Sequence, residues 1–271
     1  MSWLANATIL SNRRGVRKSS RFIGFNGLAG TAPYFDGSDR IVRLQGGDFT
    51  VGQFSSWSGC AWIAPANYNK YIFSALYDID PQGTISMWVS LDSLGRVVVD
   101  YADDANQLGK QIRSNTNGVQ TDVWTLIAWS IDIEEGFDAI QINDEAGHDV
   151  VYNTTAGSVS FYPNRGVYGT GDFGNSNTSS KFVGGLYNVF TSFGTFENVT
   201  SDIGAFANIG TDYSPRNLGL NGTATGLPQP LILHNRPFDL FQVNGGTAGT
   251  PGTLSGTLTA VLPPTIPGSS L

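Results

Sequence analysis

The side chains that could carry out acid–base or nucleophilic chemistry are few in this sequence and lie far apart. They are four glutamates, two histidines and one cysteine: Glu134, Glu135, Glu145, Glu197, His148, His234 and Cys60. A retaining glycosidase needs two carboxylates about 5 Å apart, and residues two positions apart on a strand share one face. No glutamate is followed by an aspartate two positions later and another glutamate beyond it, and no G-x-S-x-G motif is present. The sequence therefore argues against a glycosidase and against a nucleophilic triad.

Aspartates in two regions of the sequence supply oxygen ligands of the kind that calcium prefers. Asp78 and Asp80 belong to one region, and Asp100, Asp103 and Asp104 belong to the other. Aspartate in a turn more often accepts hydrogen bonds from nearby backbone N–H groups, so this structural role stays open beside metal binding. Calcium is the only cofactor predicted, because two histidines and one cysteine supply a zinc site poorly.

Aromatic side chains are the candidates for contact with a sugar, since flat rings stack against sugar faces. Five tryptophans fall in apolar stretches, where core packing is expected: Trp57, Trp62, Trp88, Trp124 and Trp129. Three other aromatic residues fall in segments predicted to be loops, and these are the predicted glycan contacts: Tyr101, Tyr168 and Phe173.

The charge of the chain is divided unevenly between its start and the remainder. Residues 1–21 contain five basic residues and no acidic one: Arg13, Arg14, Arg17, Lys18 and Arg21. The remainder holds the other ten basic residues and all 22 acidic residues, so it carries −12, which with +5 for residues 1–21 gives the net −7. This pattern predicts a cationic arm that docks on an acidic partner or a neighbouring copy. A solvated tail, or an arm that folds back on its own acidic body, stays open beside docking. Nucleic acid is not expected as a partner, because phosphate would be repelled by the acidic body.

Composition and periodicity predict an all-β protein. Only 14% of the 271 residues are charged and 34 are glycine, compared with about 25% charged and about 7% glycine in average soluble proteins. The segments Val123–Ile133, Ala139–Asn143 and Val150–Tyr152 read as three consecutive strands. In the first of these, Ile127 and Trp129 share an apolar face that is expected to point into a core.

The first two of these strands form a predicted hairpin. The order of its sequence features resembles that in the concanavalin A-like lectin and laminin-G-like jelly rolls. A tryptophan opens a strand ending in Ser130-Ile131-Asp132, a short glycine turn follows, and the next strand runs into Asn143-Asp144. Further points of resemblance are Phe35-Asp36-Gly37 before a short strand and the strand FVGGLYNV at 182–189. The resemblance implies a concanavalin A-like antiparallel β-sandwich, in which this late strand lies beside the first strand.

Two details of the late part of the sandwich are also predicted. The segment from Asn153 to Lys181 is expected to be irregular because much of it is polar and rich in glycine. The strand Phe182–Phe193 is expected to alternate regularly, with Leu186, Asn188 and Phe190 on one face and Tyr187, Val189 and Thr191 on the other.

The C-terminal segment resembles the end of phage structural proteins that carry a laminin-G-like domain. It contains Asp212, Pro215, Leu218 and Gly219, then Pro230-Leu231-Ile232-Leu233, and then a Gly/Thr strand over Gly252–Val261. The predicted domain division is a basic arm at 1–30, the sandwich at 31–205, and a small β appendage with a tail at 206–271.

The resemblance implies a non-enzymatic virion protein of a tailed bacteriophage, such as a tail, neck or capsid-decorating component. Its expected partners are other virion proteins, further copies of itself and host-surface carbohydrate. No run of about 18 apolar residues is present, so no membrane span is expected. Two alternatives stay open, which are a free carbohydrate-binding lectin and a degenerate jelly-roll glycosidase.

Overall fold

The computed structural model describes most of the chain between residues 31 and 264. The gaps in this description are residues 39, 44–55, 79–83, 104–107, 133–134, 154–164, 169–181, 194–197, 199, 209–213, 237, 244 and 248–252. Within the described ranges the chain folds into two antiparallel eight-stranded sheets and one two-stranded ribbon. Helical structure in the same ranges is confined to 3-10 turns at Ile203–Ala205, Thr223–Thr225 and Phe238–Leu240.

Sheet I has the spatial order β10-β9-β8-β3-β13-β1-β18, and β16 pairs with β13 beside this path. Its strands are β1 (Ala32–Asp36), β3 (Ser56–Pro65), β8 (Thr125–Asp132), β9 (Phe137–Ile142), β10 (Glu145–Ala146), β13 (Val183–Phe193), β16 (Ile232–His234) and β18 (Thr259–Val261). β13 pairs with β1, and this is the position beside the first strand that the family resemblance implies for the strand at 182–189.

Sheet II has the order β11-β7-β6-β5-β4-β12-β2-β17. Its strands are β2 (Arg40–Arg43), β4 (Lys70–Asp78), β5 (Thr84–Leu91), β6 (Val97–Asp103), β7 (Leu108–Ser114), β11 (His148–Asn153), β12 (Arg165–Tyr168) and β17 (Thr253–Ser255). The ribbon pairs β14 (Ala207–Asn208) with β15 (Ser214–Pro215). The predicted antiparallel β-sandwich is confirmed.

The main core lies between the two sheets and is built by strand alternation. Sheet I contributes Ile127, Trp129 and Ile131 from the predicted apolar face of β8. Sheet II contributes Val89 from β5 and Ile112 from β7, and all five side chains are buried. Because successive side chains of a strand point to opposite faces, the residues between these positions lie on the outer faces of the sandwich.

The outer face of sheet I forms a second hydrophobic core rather than a wet surface. Trp62 on β3 and Leu126 on β8 lie on this face, and they cluster with Phe206, Leu218 and Leu233 from the C-terminal segment. Every residue of β3 and of β8 is therefore buried. Covering both faces of a sheet allows its strands to be apolar almost throughout, which explains the long apolar runs in the sequence.

The predicted regular alternation of β13 is wrong beyond Tyr187. Leu186 and Val189 face the main core, whereas Tyr187 and Phe190 face the second core. The pairing with β3 shifts register between Tyr187 and Phe190, and Asn188 has a φ of 49°. This is a β-bulge, in which one extra residue reverses the faces that follow. Asparagine tolerates the left-handed conformation, and the Asn188 side chain donates a hydrogen bond of 3.2 Å to the carbonyl of Arg216.

The segment predicted to be irregular contains strand β12, which pairs with β2 and β4. The C-terminal segment also enters both sheets, because β17 pairs with β2 and β18 pairs with β1. The predicted division between sandwich and appendage at residues 205 and 206 stays a prediction. The strands on its C-terminal side nevertheless share the hydrogen-bond ladders of the sandwich.

Asp92 organises the turn that connects β5 and β6. Its Oδ1 accepts hydrogen bonds from the backbone N–H groups of Leu94 (2.9 Å) and Arg96 (3.0 Å). Its Oδ2 accepts from the Arg96 side chain at 2.7 Å. Partial burial raises the pKa of Asp92, but these hydrogen bonds and the charge of Arg96 outweigh burial and lower the pKa.

We expect Trp129→Ala to lower the free energy of unfolding by about 3–5 kcal/mol, the usual loss for a large buried aromatic side chain. Trp129 is buried and packs edge-on against Trp57 with ring centroids 5.6 Å apart. Urea unfolding measures the change, and Leu94→Ala on the exposed hairpin turn serves as the control, with a change within about 0.5 kcal/mol. A loss under about 1 kcal/mol for Trp129→Ala would place this side chain outside the core.

The Asp92 turn predicts a pH dependence of stability. A carboxyl whose pKa is lowered on folding stabilises the protein above its unfolded pKa of about 3.9, and this contribution disappears as the pH falls through the folded value. Asp92→Asn removes the ionisable group, so we expect the variant to be less stable at pH 7 and to lose less stability below about pH 4. Thermal unfolding of both proteins between pH 7 and pH 2 measures the difference. Parallel pH profiles would contradict the assignment.

Candidate functional site

The two outer faces of the sandwich differ in chemistry. On sheet I the outer face is covered by the apolar C-terminal segment. On sheet II the residues that alternate with the core positions of β5, β6 and β7 are mostly polar and include one tryptophan. We call this set the Trp88 face, and its members are Trp88, Ser90, Val98, Asp100, Gln111 and Arg113.

Strand register places three members of the Trp88 face in one row. Trp88 on β5 is paired with Asp100 on β6, and Asp100 is paired with Gln111 on β7. Neighbouring strands lie about 4.8 Å apart, so the row spans about 10 Å. A second row, about 7 Å further along the strands, runs from Ser90 to Arg113. Together the rows combine aromatic, hydroxyl, carboxylate, amide and guanidinium groups on one surface.

Asp100 and Gln111 form the polar centre of this surface. The Asp100 side chain is only 1% exposed although it lies on the outer face. The Gln111 Nε2 atom donates a hydrogen bond to Asp100 Oδ2. A buried carboxylate requires such partners, and the bond holds the amide and the carboxylate in a defined orientation next to Trp88.

Arg113 is the cationic member of the Trp88 face. It is half-buried, and its strand partner on β11 is the exposed Asp149. No ion pair within 4.0 Å joins the two side chains in the described residues, and the Arg113 Nε atom is buried without a hydrogen-bond partner there. A buried donor without an acceptor costs about 1–3 kcal/mol, so an oxygen atom of a ligand or of water would stabilise this group.

The predicted calcium ligands are not brought together within the described residues. Asp78 ends β4 and Asp103 ends β6, with β5 between them. Asp100 lies three residues further into β6 and is bonded to Gln111, while Asp80 and Asp104 lie outside the described residues. No group of three or more His, Cys, Asp or Glu side chains in the described part of the chain could hold a metal ion. Calcium binding stays a prediction.

The predicted glycan contacts rested on three aromatic residues being in loops. The structure instead places Tyr101 within β6 and Tyr168 within β12, and Phe173 lies outside the described residues. Whether any of the three contacts a glycan stays a prediction. The basic arm residues predicted to dock a partner also lie outside the described residues: Arg13, Arg14, Arg17, Lys18 and Arg21.

Trp88 is the aromatic residue that the sequence reasoning assigned wrongly. Trp57, Trp62, Trp124 and Trp129 are buried as predicted, whereas Trp88 is half-buried on the outer face. The sequence of β5, TISMWVSL, does contain the signal. Alternation puts its aliphatic residues and Met on one face, and puts the tryptophan with one threonine and two serines on the other.

The glutamates lie away from the Trp88 face where the structure describes them. Glu135 is exposed in the turn between β8 and β9, and Glu145 is exposed on β10. Glu134 and Glu197 lie outside the described residues. In the part of the chain that is described, no helix is long and apolar enough to cross a membrane.

No family model and no curated protein matches this sequence. Among solved structures, the chain is similar to a candidate carbohydrate-binding protein from Bacteroides ovatus, with a TM-score of 0.56 and 15% identity over 88% of this chain and 62% of that one. It is also similar to domains LG4-5 of the mouse laminin α1 chain, with a TM-score of 0.44 and 8% identity over 67% of this chain and 48% of that one. A third similar structure is a tailspike protein of bacteriophage CBA120, with a TM-score of 0.38 and 12% identity over 65% of this chain and 31% of that one.

These likenesses bear on the fold and cover only part of each compared chain. The match with a TM-score of 0.56 covers 88% of this chain, and at 15% identity it bears on the fold alone. The chain therefore has the concanavalin A-like, laminin-G-like jelly-roll fold that its hairpin and its late strand predict.

Proposed function

We propose that this chain is a non-enzymatic carbohydrate-binding component of a tailed-phage particle. The observation that carries the proposal is the Trp88 face, where a half-buried indole lies in register with Asp100 and Gln111. Ligand sites combine apolar or aromatic area with a small number of placed polar groups. A sugar presents both an apolar C–H face, which packs on an indole, and hydroxyl groups, which accept hydrogen bonds from an amide and a guanidinium such as those of Gln111 and Arg113. The buried Asp100 carboxylate holds the amide in place.

The charge of the face favours neutral sugars over acidic ones. Asp100 and Asp149 flank the single cation Arg113, and the body beyond the arm carries −12. A negative surface potential lowers the local concentration of anionic ligands. The ligand class is therefore a neutral glycan rich in hydroxyl groups, of the kind displayed on a host surface.

The spacing of carboxylates supports a binding role rather than hydrolysis. Asp100 and Asp149 lie two strands apart and two residues out of step, which puts their Cα atoms about 12 Å apart from strand geometry. Glycosidases separate their two carboxyl groups by about 5–5.5 Å or about 6.5–9.5 Å. The pair of Asp100 and Asp149 fits neither arrangement.

The proposed location in a virion rests on the resemblance of the C-terminal segment to the end of phage structural proteins. In this chain the same segment contributes to the second core. Leu218 and Leu233 of that segment are buried against sheet I, so the feature shared with phage structural proteins is part of the sandwich in this chain. In this proposal, the basic arm docks on an acidic surface of a neighbouring protein or copy, and the chain is a homo-oligomer. A free lectin is the second candidate, favoured if glycan binding is found without assembly.

We expect Trp88→Ala to weaken glycan binding at least about tenfold, or about 1.4 kcal/mol, because the indole supplies most of the apolar contact area. The full chain is tested on an array of neutral and acidic oligosaccharides, and affinities for the ligands found are measured by calorimetry. Leu220→Ala, an exposed apolar residue on the C-terminal segment, is the control and should bind normally. Unchanged binding by a folded Trp88→Ala protein would remove the Trp88 face as the site.

We expect no release of reducing sugar when the full chain is incubated with neutral polysaccharides, since Asp100 and Asp149 lack a catalytic spacing. A colorimetric reducing-end assay measures the release. Asp100→Asn and Glu145→Gln serve as matched variants, and all three proteins should equal the buffer blank. Release that either substitution abolishes would show an enzyme and overturn the non-enzymatic part of the proposal.

A further inference from the structure

Lys110 and Asp138 bring an amine and a carboxyl group together inside the sandwich. Lys110 lies two residues before Ile112 on β7, and Asp138 lies two residues before Ile140 on β9. Because alternate residues of a strand share a face, both side chains point towards the main core, where the two isoleucines are buried. The Lys110 Nζ atom is in direct contact with Asp138 Oδ2 and so joins sheet II to sheet I.

This pair is shielded from water, unlike the ion pair at the hairpin turn. The side chains of Lys110 and Asp138 are 10% and 8% exposed, compared with 22% and 19% for Arg96 and Asp92. An ammonium group carries three hydrogen-bond donors, yet Lys110 has a single side-chain acceptor among the described residues. Buried charges whose hydrogen bonds are incomplete cost free energy, so a neutral product is favoured at this position over two charges.

An amine and a carboxyl group that are held together can condense to an amide. Two reacting groups in a well-oriented contact behave as if each were present at about 10⁵–10⁸ M, a concentration that no bimolecular reaction in solution reaches. The apolar surroundings also exclude the water that would hydrolyse the product. The fold therefore supplies both the proximity and the dry setting that condensation needs.

We propose that Lys110 and Asp138 become joined by an isopeptide bond, formed by the folded chain itself. The Lys110 ammonium group first passes one proton to the Asp138 carboxylate, which gives a neutral amine and a carboxylic acid. The lone pair on Nζ then attacks Cγ of Asp138, and the Nζ–Cγ bond forms. The C–OH bond at Cγ breaks, and the hydroxyl group leaves with a second proton from Nζ as one water molecule. One proton stays on the amide nitrogen, and no atom changes its oxidation state.

The bond would tie the two sheets together beside the central strand of sheet I. It closes a loop over residues 110–138, which contains β8. A crosslink of this kind restricts the unfolded chain and prevents the two sheets from separating at this edge. An ion pair that stays ionic would also hold the sheets together in the folded state, but it would leave the covalent mass of the chain unchanged.

The experiment measures the mass of the full chain under denaturing conditions, after purification and incubation at neutral pH. We expect wild type to be lighter than its sequence by one water molecule. Lys110→Arg keeps the positive charge but has no nucleophilic amine, so its mass should equal its sequence. In a denaturing gel, wild type should migrate faster than Lys110→Arg, because the closed loop makes the unfolded chain more compact. A wild-type mass equal to its sequence would overturn the proposal.

Peptide mapping places the lost water. Digestion with trypsin and a glutamate-specific protease should give a branched peptide that joins residues 97–113 to residues 136–145, because trypsin does not cleave after an acylated lysine. A loss of water that maps to any other residue, such as a cyclised aspartate, would overturn the assignment.

A matched variant tests whether burial directs the reaction. Arg96→Lys/Lys110→Arg moves the lysine to the exposed pair with Asp92 and leaves the number of lysines unchanged. We expect this protein to keep its full mass, since water surrounds the exposed pair. Loss of water from it would show that condensation does not depend on the buried site, which would contradict the proposal. The crosslink is independent of glycan binding, so its absence would leave the proposed function of the Trp88 face unchanged.

Discussion

The need to bury both faces of sheet I constrains the rest of the structure. Trp57 and Trp129 fill the inner face, while Trp62 and Leu126 fill the outer face of the same two central strands. A sheet this apolar on both sides cannot leave either side in water. The C-terminal segment must therefore return across sheet I, and Leu233 on β16 joins the ladder of β13 as it does so.

This constraint leaves sheet II to present polar chemistry. Its inner face completes the main core, so groups such as Asp100 and Gln111 occupy the outer face. The two sheets are also joined by charge, because Lys110 on β7 forms a buried ion pair with Asp138 on β9. Removing one member of a buried pair leaves the other charge uncompensated, at a cost of about 3–5 kcal/mol. The strand that carries this lysine also carries Gln111 and Arg113, so the pair helps to fix the position of the Trp88 face.

Period-two patterning was enough to predict an all-β fold, because the strands around Ile127 and Trp129 alternate or are apolar throughout, and the sandwich followed from the family resemblance. It could not predict the bulge at Asn188, since a single extra residue changes the faces of everything after it without changing composition. It also missed β12, where four residues pair with β2 and β4 only through contacts distant in sequence. Trp88 was missed for a different reason. Its neighbours in sequence are hydrophobic overall, and only their separation by face shows that it lies with serine and threonine.

The glycan site and the oligomer proposed for this chain would act together. A shallow face on a sheet binds a single sugar weakly, because much of the ligand stays in water. An oligomer would hold several Trp88 faces in one assembly and make each later contact with a polymeric glycan intramolecular. Avidity of this kind can exceed a single-site affinity by about 10²–10⁴. Assembly of several copies would thus supply the strength that one Trp88 face lacks.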